Sequence, residues 1–308
     1  MGRKVAYKGK TLFAQASGLL MAQPQTRLVG YGKKYGIESF VSYGYLYNWY
    51  AVNKAVAEDD DGYSLAPEGW HVPTDAELTT LENYIDTNYN TSPNDFGVSS
   101  HLKHCRMNNH PLGGVCDTAI HPRWSTNNTY YGRNTVDFSA IPGGLRNIFG
   151  NYGNIGLRGV WWSSTESSST LAWFHLIRDN QPDLERDEGN KIDGYSIRLI
   201  RDNDTGWTEG ETVEIDGHTY DTVKIGDQVW MVQNLATTKY RNGEDIPNVT
   251  DNTDWANDEA GARCAYNNDE GNVFVNFEWL KPLTNLNLVD YQGKNVLDYE
   301  GKQIIAEI

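Results

Sequence analysis

Cysteine is scarce in this chain of 308 residues, and its three cysteines, Cys105, Cys116 and Cys264, fit no metal-site spacing. The CxxC and CxxH patterns of zinc sites are missing. An odd number also prevents complete pairing into disulfides. Cys105 and Cys116 enclose a loop rich in turn residues, and either a disulfide between them or two free buried thiols fits this pattern. The sequence therefore excludes a zinc finger and a framework in which every cysteine is bonded.

Long apolar runs are also missing, and basic residues are few. No run approaches the roughly 18–20 apolar residues that a membrane-spanning helix requires. The 26 Lys and Arg residues stand against 41 Asp and Glu residues, which gives a formal net charge of -15 at pH 7. A protein of this charge repels nucleic-acid phosphates. We therefore expect no membrane span and no nucleic-acid partner.

The common enzyme motifs do not occur. We find no G-x-S-x-G, H-E-x-x-H, Walker loop or G-x-G-x-x-G. The seven histidines form no metal-ligand spacing, although His101 and His104 could share one helical face. The acidic run of residues 58–62 lacks the alternating ligands of an EF-hand and is interpreted as a solvated turn. We expect no enzymatic activity, no metal and no cofactor.

The basic residues concentrate at the start of the chain. Residues 1–38 contain seven Lys and Arg residues against Glu38, a net charge of +6, which leaves -21 for the remainder. A basic arm on an acidic body favours docking on an acidic partner over a freely solvated tail. The attachment residues proposed in this arm are Arg3, Lys4, Lys8 and Lys10. The apolar stretch that follows is too interrupted for a signal peptide, so we expect no ordinary export signal.

A short Tyr-x-Gly-Lys pattern occurs at both ends of the chain, beginning at Tyr7, Tyr291 and Tyr299. Each copy is typical of a strand, a glycine turn and a second strand. The copies either arise by chance or form similar hairpins outside the main domain. We therefore assign residues 276–308 as C-terminal attachment hairpins.

The secondary-structure signals predict a mixed α+β fold. Thr74 and Glu77 form a capping box at the start of a helix. A second helix is predicted around residues 11–22. Gly226-Asp227 joins two predicted strands in a tight hairpin. Many short strands around one clear helix indicate small antiparallel sheets. The predicted strands are residues 160–164, 172–177, 195–201, 220–225 and 228–231.

Several long motifs then carry a family resemblance. The chain resembles the Fibrobacter succinogenes major paralogous domain, a family with a C-type lectin-like fold, over about residues 43–202. The resemblance implies that Trp161 and Trp162 lie in a core strand, with at least one of them buried. Family members occur in surface proteins of Bacteroidetes-type bacteria and in their phages. The matching motifs are residues 43–52 (YGYLYNWYAV), 65–75 (LAPEGWHVPTD), 138–144 (FSAIPGG), 161–166 (WWSSTE) and 194–198 (GYSIR).

Residues 215–269 resemble the beginning of the same family, although they follow its end in this chain. This order implies a circular permutation or an exchange of halves between chains. Two truncated tandem copies is the alternative, but each would leave half a core and unpaired strand edges. The expected organisation is a basic arm (1–38), the C-terminal part of the domain (39–202), its N-terminal part (203–275) and the attachment hairpins (276–308).

The resemblance also bears on two local features. Residues 181–183 (Gln-Pro-Asp) copy a tripeptide that C-type lectins use to hold calcium, but its Trp-Asn-Asp partner is missing, so we interpret the match as coincidental. Cys264 stands where the family could pair it with a cysteine of the final strand, and Leu199 occupies that second place. We therefore expect Cys264 to be a buried, reduced thiol near Leu199.

The candidate ligand-binding residues lie in a loop rich in Asn and Thr. They are Arg123, Trp124, Tyr130 and Tyr131, whose rings and polar groups suit stacking on sugars or on a protein partner. A purely structural loop is the alternative. We expect a non-enzymatic structural and recognition component of a phage virion, such as a fibre, decoration or tail-associated protein, exposed on the particle. Its expected partners are other virion proteins, further copies of itself and a host-surface glycan or protein. The alternative is a bacterial cell-surface adhesin or glycan-binding protein.

Overall fold

The computed structural model describes residues 4–7, 10–13, 39–41, 43–54, 61–89, 97–104, 124–125, 127, 129–276, 286–287 and 305–306. The chain divides into two compact units. The smaller comprises Met1–Phe40, Asn109–Gly113 and Asn276–Ile308, and the larger comprises Val41–Asn108 and Gly114–Val275. The prediction of a mixed α+β fold is confirmed, because the described residues form many strands and few helices.

The strands within the described residues are mostly short. They are β1 (Lys4–Tyr7), β2 (Lys10–Phe13), β3 (Ser39–Val41), β4 (Leu46–Tyr47), β5 (Trp70–His71), β6 (Gly143–Arg146), β7 (Tyr152–Ile155), β8 (Arg158–Glu166), β9 (Leu171–Arg178), β10 (Leu184–Asn190), β11 (Ile200–Arg201), β12 (Thr212–Ile215), β13 (His218–Ile225), β14 (Gln228–Met231), β15 (Arg263–Cys264), β16 (Phe274–Asn276), β17 (Leu286–Asn287) and β18 (Ile305–Ala306).

The helices of the described residues are fewer. The α-helices are α1 (Trp49–Val52), α2 (Asp75–Tyr89), α3 (Gly97–Leu102) and α4 (Asn252–Ala256), and the 3-10 turns are Asp61–Tyr63, Tyr266–Asn268 and Glu270–Asn272. The helix predicted from the capping box is confirmed as α2. The Thr74 amide donates to Glu77 Oε2 at 2.8 Å and the Glu77 amide to Thr74 Oγ1 at 3.3 Å. Across the described ranges, none of the helices has the length and apolar character that a bilayer crossing demands.

Two five-stranded sheets form the body of the larger unit. Their strand orders are β10-β9-β8-β6-β7 and β12-β13-β14-β11-β5. Pairing is antiparallel except between β6 and β8, which run parallel at Gly144 and Gly159. In the second sheet, Ile200 pairs with Trp230 on one side and with His71 on the other. Strands from residues 43–202 and 203–275 are therefore hydrogen-bonded in one sheet.

The strand predictions hold except near residue 195. The hairpin β13–β14 closes at Gly226, whose φ of +60° places it in the left-handed region that favours glycine. The predicted strand 195–201 is confirmed only at Ile200–Arg201 and is wrong over residues 195–199, which form no ladder. Tyr195 and Ser196 make single bridges to Tyr47 and Trp161, which belong to different strands.

The smaller unit contains two antiparallel pairs within the described residues. β1 pairs with β2, with Tyr7 opposite Lys10. β17 pairs with β18, with Leu286 opposite Ala306. The helix predicted around residues 11–22 is wrong over residues 11–13, which are part of β2; residues 14–22 lie outside the described ranges. A hairpin predicted from Tyr7-Lys8-Gly9-Lys10 fits the β1–β2 pairing, whereas the patterns at Tyr291 and Tyr299 lie outside the described residues.

Two neighbouring tryptophans on β8 show that apolar residues pack against both faces of the first sheet. Trp161 is 3% exposed and Trp162 is 0% exposed, so the expectation of a buried tryptophan in this strand is confirmed for both. Successive side chains of a strand point to opposite faces. Trp162 accordingly packs with Phe174 and Tyr195, whereas Trp161 packs with Phe138 in a second cluster.

A buried arginine joins the first sheet to residues 249–252. Arg146 on β6 is 0% exposed. Its guanidinium donates to the carbonyl oxygens of Gly150, Val249, Thr250 and Asp251 and to Asn252 Oδ1, at 2.6–3.2 Å. It also lies 4.4 Å from the ring centre of Trp255 and 5.0 Å from that of Tyr152. One side chain thus fixes the turn after β6 and the segment that leads into α4.

Cys264 is a free, buried cysteine, as expected. Burial raises the pKa of its thiol. The expectation that it lies near Leu199 is wrong: Cys264 pairs with Leu46 across β15 and β4 and packs in a cluster with Trp255 and Tyr266, whereas Leu199 belongs to the first core. Residues 105 and 116 lie outside the described ranges.

Residues near the N- and C-terminal ends of the larger unit lie side by side. The Tyr43 amide donates to the Asn272 carbonyl at 3.2 Å. The Tyr45 hydroxyl donates to Glu270 Oε2 at 2.6 Å. Residues 43–45 and 270–272 are therefore held together by direct hydrogen bonds.

Candidate functional site

The indole ring of Trp124 is buried beneath the candidate loop and is not accessible to a ligand. It is only 2% exposed, and its indole Nε1 donates to the Ala140 carbonyl at 2.8 Å. The expectation of an accessible aromatic face is therefore wrong for this residue. Sequence reasoning missed its burial because Ala140 and the other residues that cover it lie elsewhere in the chain. Arg123 lies outside the described residues.

Lys103 fixes the loop to the core. Its side chain is buried, and Nζ donates to the carbonyl oxygens of Tyr130 at 2.8 Å and Asp179 at 3.2 Å. The same ammonium lies 5.3 Å from the Trp124 ring centre, within the range of a cation–π contact. A buried charge is tolerated only where hydrogen bonds replace its hydration. The loop backbone at Tyr130 is therefore held in one position.

Tyr130 and Tyr131 are the half-exposed aromatic residues of this loop. Asn127 Oδ1 accepts the amides of Thr129 and Tyr130, both at 2.8 Å, which shapes the turn before them. The Arg133 guanidinium lies 5.9 Å from the Tyr131 ring centre, and its amide donates to the Ser100 carbonyl at 2.7 Å. The structure thus keeps two of the predicted residues at the surface and adds Arg133, which the sequence shows two positions after Tyr131.

Two further half-buried tyrosines lie on the second half of α2. The rings of Tyr84 and Tyr89 are 6.3 Å apart, and Tyr89 is 5.7 Å from His101. His101 Nδ1 in turn lies 2.9 Å from Thr135 Oγ1, four residues after Tyr131. Tyr89 is thus connected to the loop through the buried His101. We call the loop residues Tyr130, Tyr131 and Arg133 the aromatic ridge. The sequence did not single out Tyr84 and Tyr89, because their link to the loop passes through α3.

The Gln-Pro-Asp tripeptide has a structural position beside α3. The carbonyl of Pro182 accepts the Ser99 amide at 2.8 Å, and the carbonyl of Gln181 accepts Ser99 Oγ at 2.6 Å. Burial raises the pKa of Glu82 on α2, and the nearby Asp183 and Asp86 raise it further. In the part of the chain that the structure describes, no three His, Cys, Asp or Glu side chains converge in a way that could hold a metal ion.

A second polar cluster connects the start of α2 to β9 and β10. Arg186 donates from Nε and Nη2 to the two carboxylate oxygens of Asp75 at 2.7 and 2.8 Å, and its guanidinium lies 3.2 Å from the ring centre of Trp173. His175 Nε2 lies 3.0 Å from Asp75 Oδ1. Burial lowers the pKa of His175, and for Asp75 the hydrogen bonds from Arg186 and His175 outweigh burial and lower its pKa. The cluster joins a helix to a sheet edge.

The fold and the ridge define a sheet-rich α+β domain with a rigidly supported aromatic surface. The family model of the Fibrobacter succinogenes major domain matches residues 22–201 and 223–280. This is more than half of the chain, and the chain belongs to this family. The match begins inside the segment assigned above to the basic arm. Searches of curated proteins and of solved structures found no match.

Proposed function

We propose that this protein is a non-enzymatic structural and recognition component of a phage particle, such as a fibre, decoration or tail-associated protein. The aromatic ridge binds a glycan or protein on the host surface. The extensions at both ends attach the domain to other virion proteins. The observation that carries the proposal is the ridge itself, in which half-exposed rings are supported by fully buried anchors.

Preorganisation makes the ridge suited to binding. Lys103, Trp124 and Asn127 hold the loop before a ligand arrives. A loop already fixed in its binding conformation loses less entropy on association. Tyrosine adds a large amphipathic contact area with few rotatable bonds, and Arg133 adds a planar donor beside it. Such a surface stacks on sugar rings or on protein side chains.

We further propose that the domain has a C-type lectin-like fold in which the usual order of two halves is exchanged. The motif order along the sequence motivates this proposal. The hydrogen bond between Tyr43 and Asn272 supports it, because the two points that a conventional order would join directly are adjacent. A variant in which residues 203–210 are opened and residues 272 and 43 are joined by a short linker should fold with the same circular dichroism spectrum. An unfolded product would contradict the permutation.

The assignment to a phage rests on the family resemblance and on the basic arm with Arg3, Lys4, Lys8 and Lys10. Antibody-labelled electron micrographs of purified particles test it directly. Labelled virions are expected, and label confined to the bacterial surface would favour the adhesin alternative. Deletion of residues 1–38 should abolish incorporation into particles while the larger unit still folds. Normal incorporation of the deletion variant would remove the attachment role.

The recognition role is tested with a double variant, Tyr130→Ala with Tyr131→Ala. It removes both rings but retains the Tyr130 carbonyl that Lys103 binds. Binding of the labelled full chain to intact host cells should weaken at least about tenfold, as expected when central aromatic contacts are lost. Tyr50→Ala, at a half-buried tyrosine outside the ridge, is the matched control. Equal binding by the double variant and the control would refute the role of the ridge.

The same assay separates the two ligand classes. Periodate oxidation of the cells destroys glycans with vicinal hydroxyls, and protease treatment removes surface proteins. Loss of binding after periodate alone would identify a glycan ligand. Loss after protease alone would identify a protein ligand.

A further inference from the structure

The longest edge strand of the two large sheets is β10. It lies at the end of the order β10-β9-β8-β6-β7 and pairs with β9 without interruption from Leu184 to Asn190. By contrast, the opposite edge strand, β7, has only four residues, and its Asn154 has a left-handed φ of +64°. An extended edge strand presents backbone groups that can pair with another strand.

Hydrogen bonds to the β10 amides show which half of this edge is open. The Glu188 amide donates to Asp187 Oδ1 at 2.8 Å and the Asn190 amide to Asp193 Oδ2 at 3.1 Å, so these amides point away from β9. Because backbone groups alternate along a strand, Leu184 and Arg186 also present theirs outward. The second half of the edge is thus capped by side chains, and among the described residues the open half spans residues 184–187. This length equals that of β1 and of β2, which have four residues each.

The open half and the residue that follows it are acidic. Glu185 pairs with Arg178 at 2.6 Å, so the negative charge of this edge is carried by the exposed Asp187 and Glu188. Its one positive residue, Arg186, is neutralised by its bidentate pair with Asp75. The N-terminal segment has the opposite charge, because residues 1–38 carry +6. Opposite charges on two surfaces steer and orient their association.

We infer that the β10 edge binds the basic N-terminal hairpin of a second copy of this chain by antiparallel or parallel strand addition. The inference rests on the proposed role of the N-terminal arm as an attachment element and names one partner for it. Backbone hydrogen bonds along residues 184–187 provide the pairing, and the positive charge of the incoming segment complements the acidic strand. Each copy then carries both a donor hairpin and an acceptor edge, so association can extend from copy to copy.

Sedimentation velocity on the purified full chain tests the inference. We expect concentration-dependent association that weakens at least about tenfold between about 50 mM and about 500 mM salt, because salt screens exposed charges. The double variant Asp187→Lys with Glu188→Lys should also lose association at least about tenfold. The matched control, Glu68→Lys with Glu214→Lys, reverses two exposed charges away from β10 and should associate as the native protein does.

A charge exchange makes the test specific. Lys4→Glu with Lys8→Glu and Lys10→Glu should abolish self-association, and mixing this variant with the β10 double variant should restore a mixed complex. A native chain that stays monomeric at about 100 μM, a range that detects even weak association, would overturn the inference. Equal weakening by the control pair, or a failure of the mixed complex to form, would do so as well. Arm attachment to a different virion protein would leave the pure chain monomeric, which refutes this inference without refuting the proposed function.

Discussion

Replacing Arg146 should destabilise the larger unit more than replacing any half-exposed arginine. Arg146→Ala removes five hydrogen bonds and the packing against Trp255 and Tyr152. Each buried hydrogen bond contributes about 1 kcal/mol net, and the carbonyl groups left behind are only partly accessible to water. Removal of the charge offsets part of this loss, because a buried guanidinium carries a desolvation penalty. We expect a decrease of about 3–5 kcal/mol in the free energy of unfolding.

Urea unfolding followed by tryptophan fluorescence and far-ultraviolet circular dichroism measures this decrease. With a denaturant slope of about 2–3 kcal/mol/M, the midpoint should fall by about 1–2 M. Arg146→Lys retains the positive charge but places its donors at one point, so it should recover less than half of the loss. Arg178→Ala is the control, because its partly exposed pair with Glu185 contributes about 1 kcal/mol or less. A decrease below about 1 kcal/mol for Arg146→Ala, or full recovery by lysine, would refute the reasoning.

Three further predictions concern titratable groups. The hydrogen bond that His71 donates to Glu77, with the one it donates to Asp202, raises the pKa of His71 despite partial burial. The contribution of His71 to stability is therefore complete below the ordinary histidine pKa and is lost as pH rises through the raised value. His71→Gln should remove this decrease in the free energy of unfolding across that pH range. Burial raises the pKa of Asp193 to about 6, so ionisation of its carboxyl opposes folding. Asp193→Asn should therefore stabilise the protein above pH 6. It should also remove the gain in stability that the native protein shows as pH falls from 6 toward 4. Cys264 should react with a thiol reagent at least about 100-fold more slowly in the native protein than in urea, because it is buried and its pKa is raised.

Each of these predictions has its own control. The cysteine measurement uses the background Cys105→Ser with Cys116→Ser, so that only Cys264 reacts, and comparable native and denatured rates would contradict its burial. His218→Gln, at a histidine for which no ion pair is described, should leave the pH dependence of the native protein intact. If the asparagine variant at position 193 keeps the native pH profile below pH 6, another group accounts for it.

Local signals determined which elements could be predicted. The Thr74–Glu77 capping box and the Gly226 turn involve residues within four positions of each other, and both were read correctly from the sequence. The strand predicted at 195–201 has suitable residues, but Arg198 turns into the core and donates to the carbonyl of Phe138 and to Asn234. Contacts this distant in sequence override a local strand preference.

The candidate site was predictable to the extent that its residues cluster in the sequence. Tyr130 and Tyr131 stand out in an Asn-rich loop, and both are at the surface. Trp124 has the same appearance in the sequence, yet Ala140 and Lys103 bury it. Tyr84 belongs to a helix more than 40 positions earlier, and its link to the loop runs through Tyr89 and through His101 of α3. Side-chain type indicates chemistry, but burial depends on contacts that no local pattern contains.

The adjacency of Tyr43 and Asn272 has a mechanical consequence. Tyr43 and Asn272 lie side by side near the N- and C-terminal ends of the larger unit, so tension applied between these two residues acts first on the few hydrogen bonds at that place. The two five-stranded sheets are not in series with the pull and need not stretch. A domain connected in this way can stay folded in a chain under tension, with the geometry of its aromatic ridge unchanged. It can also be inserted into a loop of another protein without separating the ends of that loop.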